Sequence, residues 1–237
     1  MTWNLDSPHA SLDLEHWSGA VDLSGPAHGI ELRYGKTQLA ASGRFFRVGV
    51  RRSFTSPLGE AYVRRGDLIA RYPQGPRAEF ALQLDFRVIE DASDWLCIEA
   101  WISIQTDLLD THPRLDVGFD IRAMDRIDAL PGDQPIAIED FAESASKGLP
   151  VGALGICEGP TGPVHAIVLV HPLDQSDCRW EGSKDGHLTL DLFGHFLEKG
   201  VIRRARARLC LSTNPIPPKA IDQAYDRFCA TPLPLTV

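Results

Sequence analysis

The chain has 237 residues, 43% hydrophobic and 24% charged, with a formal net charge of −8. A chain of that size buries about 70–75% of its unfolded surface, so a core forms without disulfide or metal staples, and its acidic balance argues against a nucleic-acid partner. The five cysteines, Cys97, Cys157, Cys178, Cys210 and Cys229, are odd in number and contain no Cys-x-x-Cys pair, which excludes a zinc-ribbon or thioredoxin-like centre and fits a reducing, cytoplasmic setting.

The first seventeen residues carry Asp6, Asp13 and Glu15 but neither lysine, arginine nor an apolar run, unlike a signal peptide. No apolar stretch anywhere approaches the roughly 18 residues of a membrane-spanning helix. Segments 30–34, 46–51 and 68–72 read as short strands. The first long alternation places Phe80, Leu82, Leu84, Phe86 and Val88 on one side, with Gln83, Asp85 and Arg87 opposite. Leu96, Ile98, Ala100, Ile102 and Ile104 repeat it against Glu99, Trp101 and Ser103. Leu115, Val117, Phe119, Ile121 and Ala123 do so against Asp116, Asp120 and Arg122. Residues 124–150 have the weakest pattern, with a strand at 136–138 and a short helix at 139–147 as the readings. Segments 151–156 and 164–170 form a hairpin across the Gly-Pro-Thr-Gly-Pro run, and Ile167 and Leu169 make the second of these apolar on both faces. After a strand at 188–192, Val201, Ala205, Ala207, Leu209 and Leu211 alternate with Arg204, Arg206 and Arg208. Arg203 interrupts the apolar side, which places the start of that strand at an edge. Ile221, Ala224, Tyr225 and Phe228 then fall on one face of a helix preceded by Pro217 and Pro218.

These elements predict an all-β fold: a large antiparallel two-sheet sandwich, with a supersandwich as its larger form, and one short C-terminal helix. No linker or repeat divides residues 1–237, which read as a single β-sandwich domain.

Several chemistries find no support. There is no Gly-x-Ser-x-Gly elbow, and Gly35-Lys36-Thr37 lacks the glycine spacing of a phosphate-cradling loop. His165 and His171 stand six residues apart on one strand, about 20 Å, too far to share a zinc ion. Asp174, Asp177, Glu181 and Asp185 do not follow a calcium-loop spacing and read as a solvated acidic hairpin. No motif calls for a cofactor or a metal.

The non-core strand faces are the place to look for a ligand. Asp85, Arg87, Trp101, Asp116, Asp120, Arg204, Arg206 and Arg208 would form one polar plane if their strands are neighbours. There an indole could stack on a carbohydrate, and arginine forks could bind an anionic small molecule. The plainer alternative is a solvated face of cross-strand ion pairs, with Asp116 and Asp120 neutralising the arginines.

Segment 60–73, Glu-Ala-Tyr-Val-Arg-Arg-Gly-Asp-Leu-Ile-Ala-Arg-Tyr-Pro, centres on a Gly66-Asp67 turn signal and resembles a segment of uncharacterised bacterial proteins, a likeness that implies no activity. At the level of architecture the pattern resembles the mutarotase-like supersandwich enzymes. That resemblance implies a histidine and a carboxylate on a concave sheet face, and it assigns no catalytic residue. Three functions stay open. One is a binding module for a sugar-like or anionic molecule. A second is an epimerase or lyase using His112, His165, His171, His187 or His195 with a carboxylate. The third is an assembly protein, a homo-oligomer among its forms, joined through exposed aromatics such as Trp3, Trp17 or Trp180.

Overall fold

Period-two alternation builds sheets with one apolar face, and two such faces must cover each other. The computed structural model describes residues 2–39, 44–49, 54–122, 126–129, 135–137, 152–159, 162–171, 173–181 and 185–231. Its first sheet runs β1 (Trp3–Asp6), β2 (His9–Asp13), β3 (Trp17–Asp22), β4 (Ile30–Tyr34) and β5 (Thr37–Gln38), with β6 (Arg44–Phe45) also paired to β4. The strands that follow are β7 (Arg47–Val48), β8 (Glu60–Arg64), β9 (Asp67–Tyr72), β10 (Ala81–Asp91), β11 (Trp95–Gln105), β12 (Arg114–Arg122), β13 (Arg126–Ala129), β14 (Pro135–Ala137), β15 (Gly152–Gly159), β16 (Gly162–Val170), β17 (Gln175–Glu181), β18 (Asp185–Phe193) and β19 (Ile202–Ser212). They form a second sheet ordered β17-β18-β12-β15-β16-β19-β11-β10-β9-β8, with β7 added beside β12 and β13 beside β15 and β14. All the pairings are antiparallel. A helix, α1 (Pro218–Ala230), ends the described chain.

The fold is therefore an all-β sandwich with one helix. The apolar faces of the two sheets meet in one buried cluster that includes Trp3, Trp17 and Leu32 from the first sheet with Leu84, Phe86 and Leu209 from the second. Trp3 lies 6.4 Å from Phe86 by ring centroids, and Phe46 sits between Phe86 and Phe119 at 6.1 and 5.0 Å. Polar ties fix the layers: Trp17 Nε1 donates to the carbonyl of Ala92 at 2.9 Å, and the Tyr72 hydroxyl donates to that of Leu23 at 3.0 Å. Trp3 and Trp17 are thus core residues and Trp180 packs partly buried against the same cluster, so none of the three is an exposed contact. The assembly reading loses the aromatics it rested on.

Other expectations are adjusted in detail. The hairpin between β8 and β9 turns through Arg65 and Gly66, both at positive φ (55° and 90°), with Arg64 opposite Asp67. Only glycine takes φ of 90° freely, as a two-residue turn of this hand requires. Asp67 is not a turn residue; it opens β9 and pairs with Arg87. Of the strand at 46–51, β7 forms at Arg47–Val48, after the separate short pairing β6, while residues 50–51 and the helix at 139–147 lie outside the described residues. β16 is covered on both faces as its sequence implies: Ala166 and Val168 enter the main core, while Ile167 and Leu169 meet Ile221 and Phe228 of α1 in a second one. Among the described residues the start of β19 pairs with β11 alone, since β16 pairs with residues 207–212.

Candidate functional site

Register decides which polar residues share a neighbourhood. Arg204, Arg206 and Arg208 of β19 lie opposite Ser103, Trp101 and Glu99 of β11, and these lie opposite Gln83, Asp85 and Arg87 of β10. Six of the eight named residues therefore gather on one face: Asp85, Arg87, Trp101, Arg204, Arg206 and Arg208. Asp116 and Asp120 do not join them. Their strand, β12, is separated from β19 by β15 and β16. Asp120 instead binds Arg47 Nη1 and the backbone N–H of Arg44, each at 3.3 Å, and Asp116 faces Asp191 across β18. Among the described residues the acid paired with an arginine of this strand is Glu99, whose Oε2 accepts from Arg208 Nη2 at 2.6 Å and Nε at 2.9 Å.

The three arginines have three different fates. Arg206 is 1% exposed and lies under α1, donating from Nη2 to the carbonyls of Thr231 (2.8 Å) and Phe228 (3.4 Å). These carbonyls mark the negative end of the helix, where a cation is favoured. Arg208 is tied to Glu99 and stacked on Phe228 at 4.8 Å. Arg204 donates from Nε to Ser103 Oγ at 2.8 Å and lies 5.2 Å from the Trp101 ring. It has no ion-pair partner among the described residues.

Trp101 organises this face. Its Nε1 donates to Glu99 Oε1 at 2.6 Å, and the Arg87 guanidinium covers the ring at 4.2 Å. The indole is a cation–π platform for arginine, and a sugar ring stacking there would have to displace Arg87. The free space lies one register step away. A groove of about 500 Å³ is lined by Glu60, Arg71, Gln83, Ser103, Gln105 and Arg204 among others. Arg71 donates to Gln83 Oε1 at 2.8 Å and Gln83 donates to Asp85 Oδ1 at 2.7 Å, which fixes the amide at the groove floor. Burial pushes the Asp85 carboxyl above the ordinary carboxylate range, only partly opposed by the Gln83 hydrogen bond and the Arg204 charge.

A second concavity, of about 650 Å³, opens on the outer face of the first sheet. Register places Asn4, Ser11, Ala20, Glu31 and Arg44 in one row across it and Asp6, His9 and Asp22 in the next. His28 Nδ1 lies 3.1 Å from Asp22 Oδ2, while Asp22 Oδ1 accepts from the N–H of Ser24 at 2.9 Å. Burial raises the Asp22 carboxyl, but the Ser24 hydrogen bonds and the nearby His28 and His9 outweigh it and hold it below its usual value. His28 was not among the five histidines expected to meet a carboxylate. The signal was present in the run Asp22-Leu23-Ser24-Gly25-Pro26, an aspartate capping its own turn and bringing residue 28 back over it. Of the five, His187 stands opposite Asp120 across β18.

No family model matches the sequence, and no curated protein matches it. Among solved structures, the fold is similar to a mutant of heparan sulfate lyase HepC from Pedobacter heparinus, with a TM-score of 0.52 and 7% identity over 92% of this chain. The likeness is one of fold. The chain spans 37% of that lyase's length. HI1317 aligns over 86% of this chain and 92% of its own with a TM-score of 0.45 and 10% identity, too distant to carry an argument. No helix among the described residues is long and apolar enough to cross a membrane.

Proposed function

We propose that this protein is a binding module for a sugar-like anionic small molecule, such as a sugar acid, held in the groove beside Arg204. The observation that carries the reading is that guanidinium. Ser103 and Trp101 hold it in place, no carboxylate forms an ion pair with it among the described residues, the buried Asp85 acts on it only at longer range, and it borders open space. A planar fork of that kind binds a carboxylate through two parallel hydrogen bonds. Glu60, Gln83, Ser103 and Gln105 supply donors and acceptors suited to hydroxyl groups. Thermal-shift screening with neutral sugars, sugar acids and sugar phosphates tests this: the acids should raise the melting temperature and the neutral sugars should not. Equal response to all, or to none, counts against it.

A second reading has its own observation, the Asp22–His28 pair in the other concavity. A carboxylate on Nδ1 orients an imidazole and leaves Nε2 for proton transfer, the arrangement of an acid–base enzyme acting on carbohydrates. Incubating sugars with the protein in deuterated water would reveal it as carbon-bound deuterium, absent with H28Q. No incorporation into any sugar discards it.

A further inference from the structure

Outside both concavities, a polar cleft of about 440 Å³ is lined by Thr55, Arg77, Glu79, His112 and Arg114, with Phe54 and Phe80 stacked at 5.6 Å beside them. Two segments deliver the basic groups, the loop bearing Arg77 and the run bearing His112 and Arg114, and all three side chains are exposed. The loop bearing Arg77 and Glu79 is held by Gln74 Nε2, which donates to the carbonyls of Ala78 and Glu79 at 3.1 and 3.2 Å, and by Thr106 Oγ1, which donates to the latter at 2.6 Å. His112 rests against Phe196 at 5.7 Å. The stem of Arg114 runs along the backbone at Gly194, where a Cβ would meet its Nε at 3.5 Å and Cγ at 3.7 Å. Neither Arg77 nor Arg114 has an ion-pair partner among the described residues, although the chain as a whole carries a net charge of −8. Two unneutralised guanidinium groups, an imidazole and a hydroxyl around one cleft form a donor set for a tetrahedral oxyanion.

Glu79 narrows the choice. A fully deprotonated anion such as sulfate would set oxygen lone pairs against that carboxylate. A phosphate that still carries a proton can donate its hydroxyl to it. Discrimination then comes from repulsion of the wrong anion as much as attraction of the right one. We infer that this cleft is a site for a protonated phosphate group, chosen over sulfate by Glu79. The inference stands independently of the Arg204 groove.

Calorimetric titration of the full chain at fixed ionic strength tests it, with inorganic phosphate, a simple phosphate monoester and sulfate as probes. Saturable phosphate binding is expected, with sulfate at least about ten-fold weaker. R77A and R114A should each weaken phosphate about ten-fold or more, the loss of one charge-assisted hydrogen bond, while R204A leaves it unchanged. E79Q should bring sulfate close to phosphate. Monoester affinity should fall as the pH rises past its second pKa of about 6. A monoester tighter than free phosphate assigns the site to a phosphorylated ligand, and the reverse assigns it to the free anion. Arg77 lies in an exposed turn, so R77A tests the site even where R114A fails to fold. Sulfate binding as tightly as phosphate, phosphate affinity untouched by R77A, or no saturable binding overturns the inference.

Discussion

At the residue scale the polar face is governed by how few of its charges are free. Glu99 is 2% exposed and serves Arg208 and Trp101 at once. Removing it leaves a largely buried guanidinium without its partner, which costs about 3–5 kcal/mol. E99A should therefore lower the unfolding free energy by that amount, seen as a lower urea midpoint at an unchanged slope, and a loss below about 1 kcal/mol would show the pair to be solvated. Asp85 acts in the opposite sense. Its raised pKa means that the folded state keeps a proton the unfolded chain has lost, so its contribution to stability falls as the pH rises past the ordinary carboxylate value of about 3.9. D85N should melt above wild type at pH 7, and the gap should close as the pH is lowered toward 3.9. A lower melting temperature for D85N at pH 7 would contradict the assignment. The residue types on this face were legible in the alternation of β10, β11 and β19. Their partners were not, because Glu99 and Asp116 look alike in a sequence and only strand order separates them.

At the scale of elements, α1 closes part of this face. Phe228 is fully buried over Ile167, Leu169, Cys97 and Cys210, and its guanidinium neighbours tie the helix end to β19. F228A should cost about 3–5 kcal/mol. It should also speed labelling of Cys97 and Cys210 by a thiol reagent, read residue by residue in a mass spectrometer. Unchanged labelling would mean that the helix does not guard them. The helix was legible from its i, i+3, i+4, i+7 stripe, and the double-sided apolar character of β16 foretold a cover. The long strands were legible for the same reason, a buried side every second residue. Of the first sheet, β4 was legible at 30–34 and the rest was not. β1 and β2 are four and five residues long, so Trp3, Leu5, Ala10 and Leu12 alternate over too short a run to stand apart from a loop. With those strands went the concavity that holds Asp22 and His28.

For the whole molecule, we propose that residues 1–237 act as one domain, because the buried cluster draws on both sheets. Thermal unfolding should then be a single transition seen alike by circular dichroism and tryptophan fluorescence; two separable transitions would divide the sheets into independent units. Sheet order is the part that composition and periodicity could not supply. It places the arginine strand beside Trp101, spends Arg206 on the helix and Arg208 on Glu99, and leaves Arg204 facing the groove. The most direct test is a calorimetric titration of wild type and R204A with the sugar acid that most raises the melting temperature. Saturable binding to wild type and a loss of about ten-fold or more in R204A is the expected result, and equal affinity in the two proteins would contradict it.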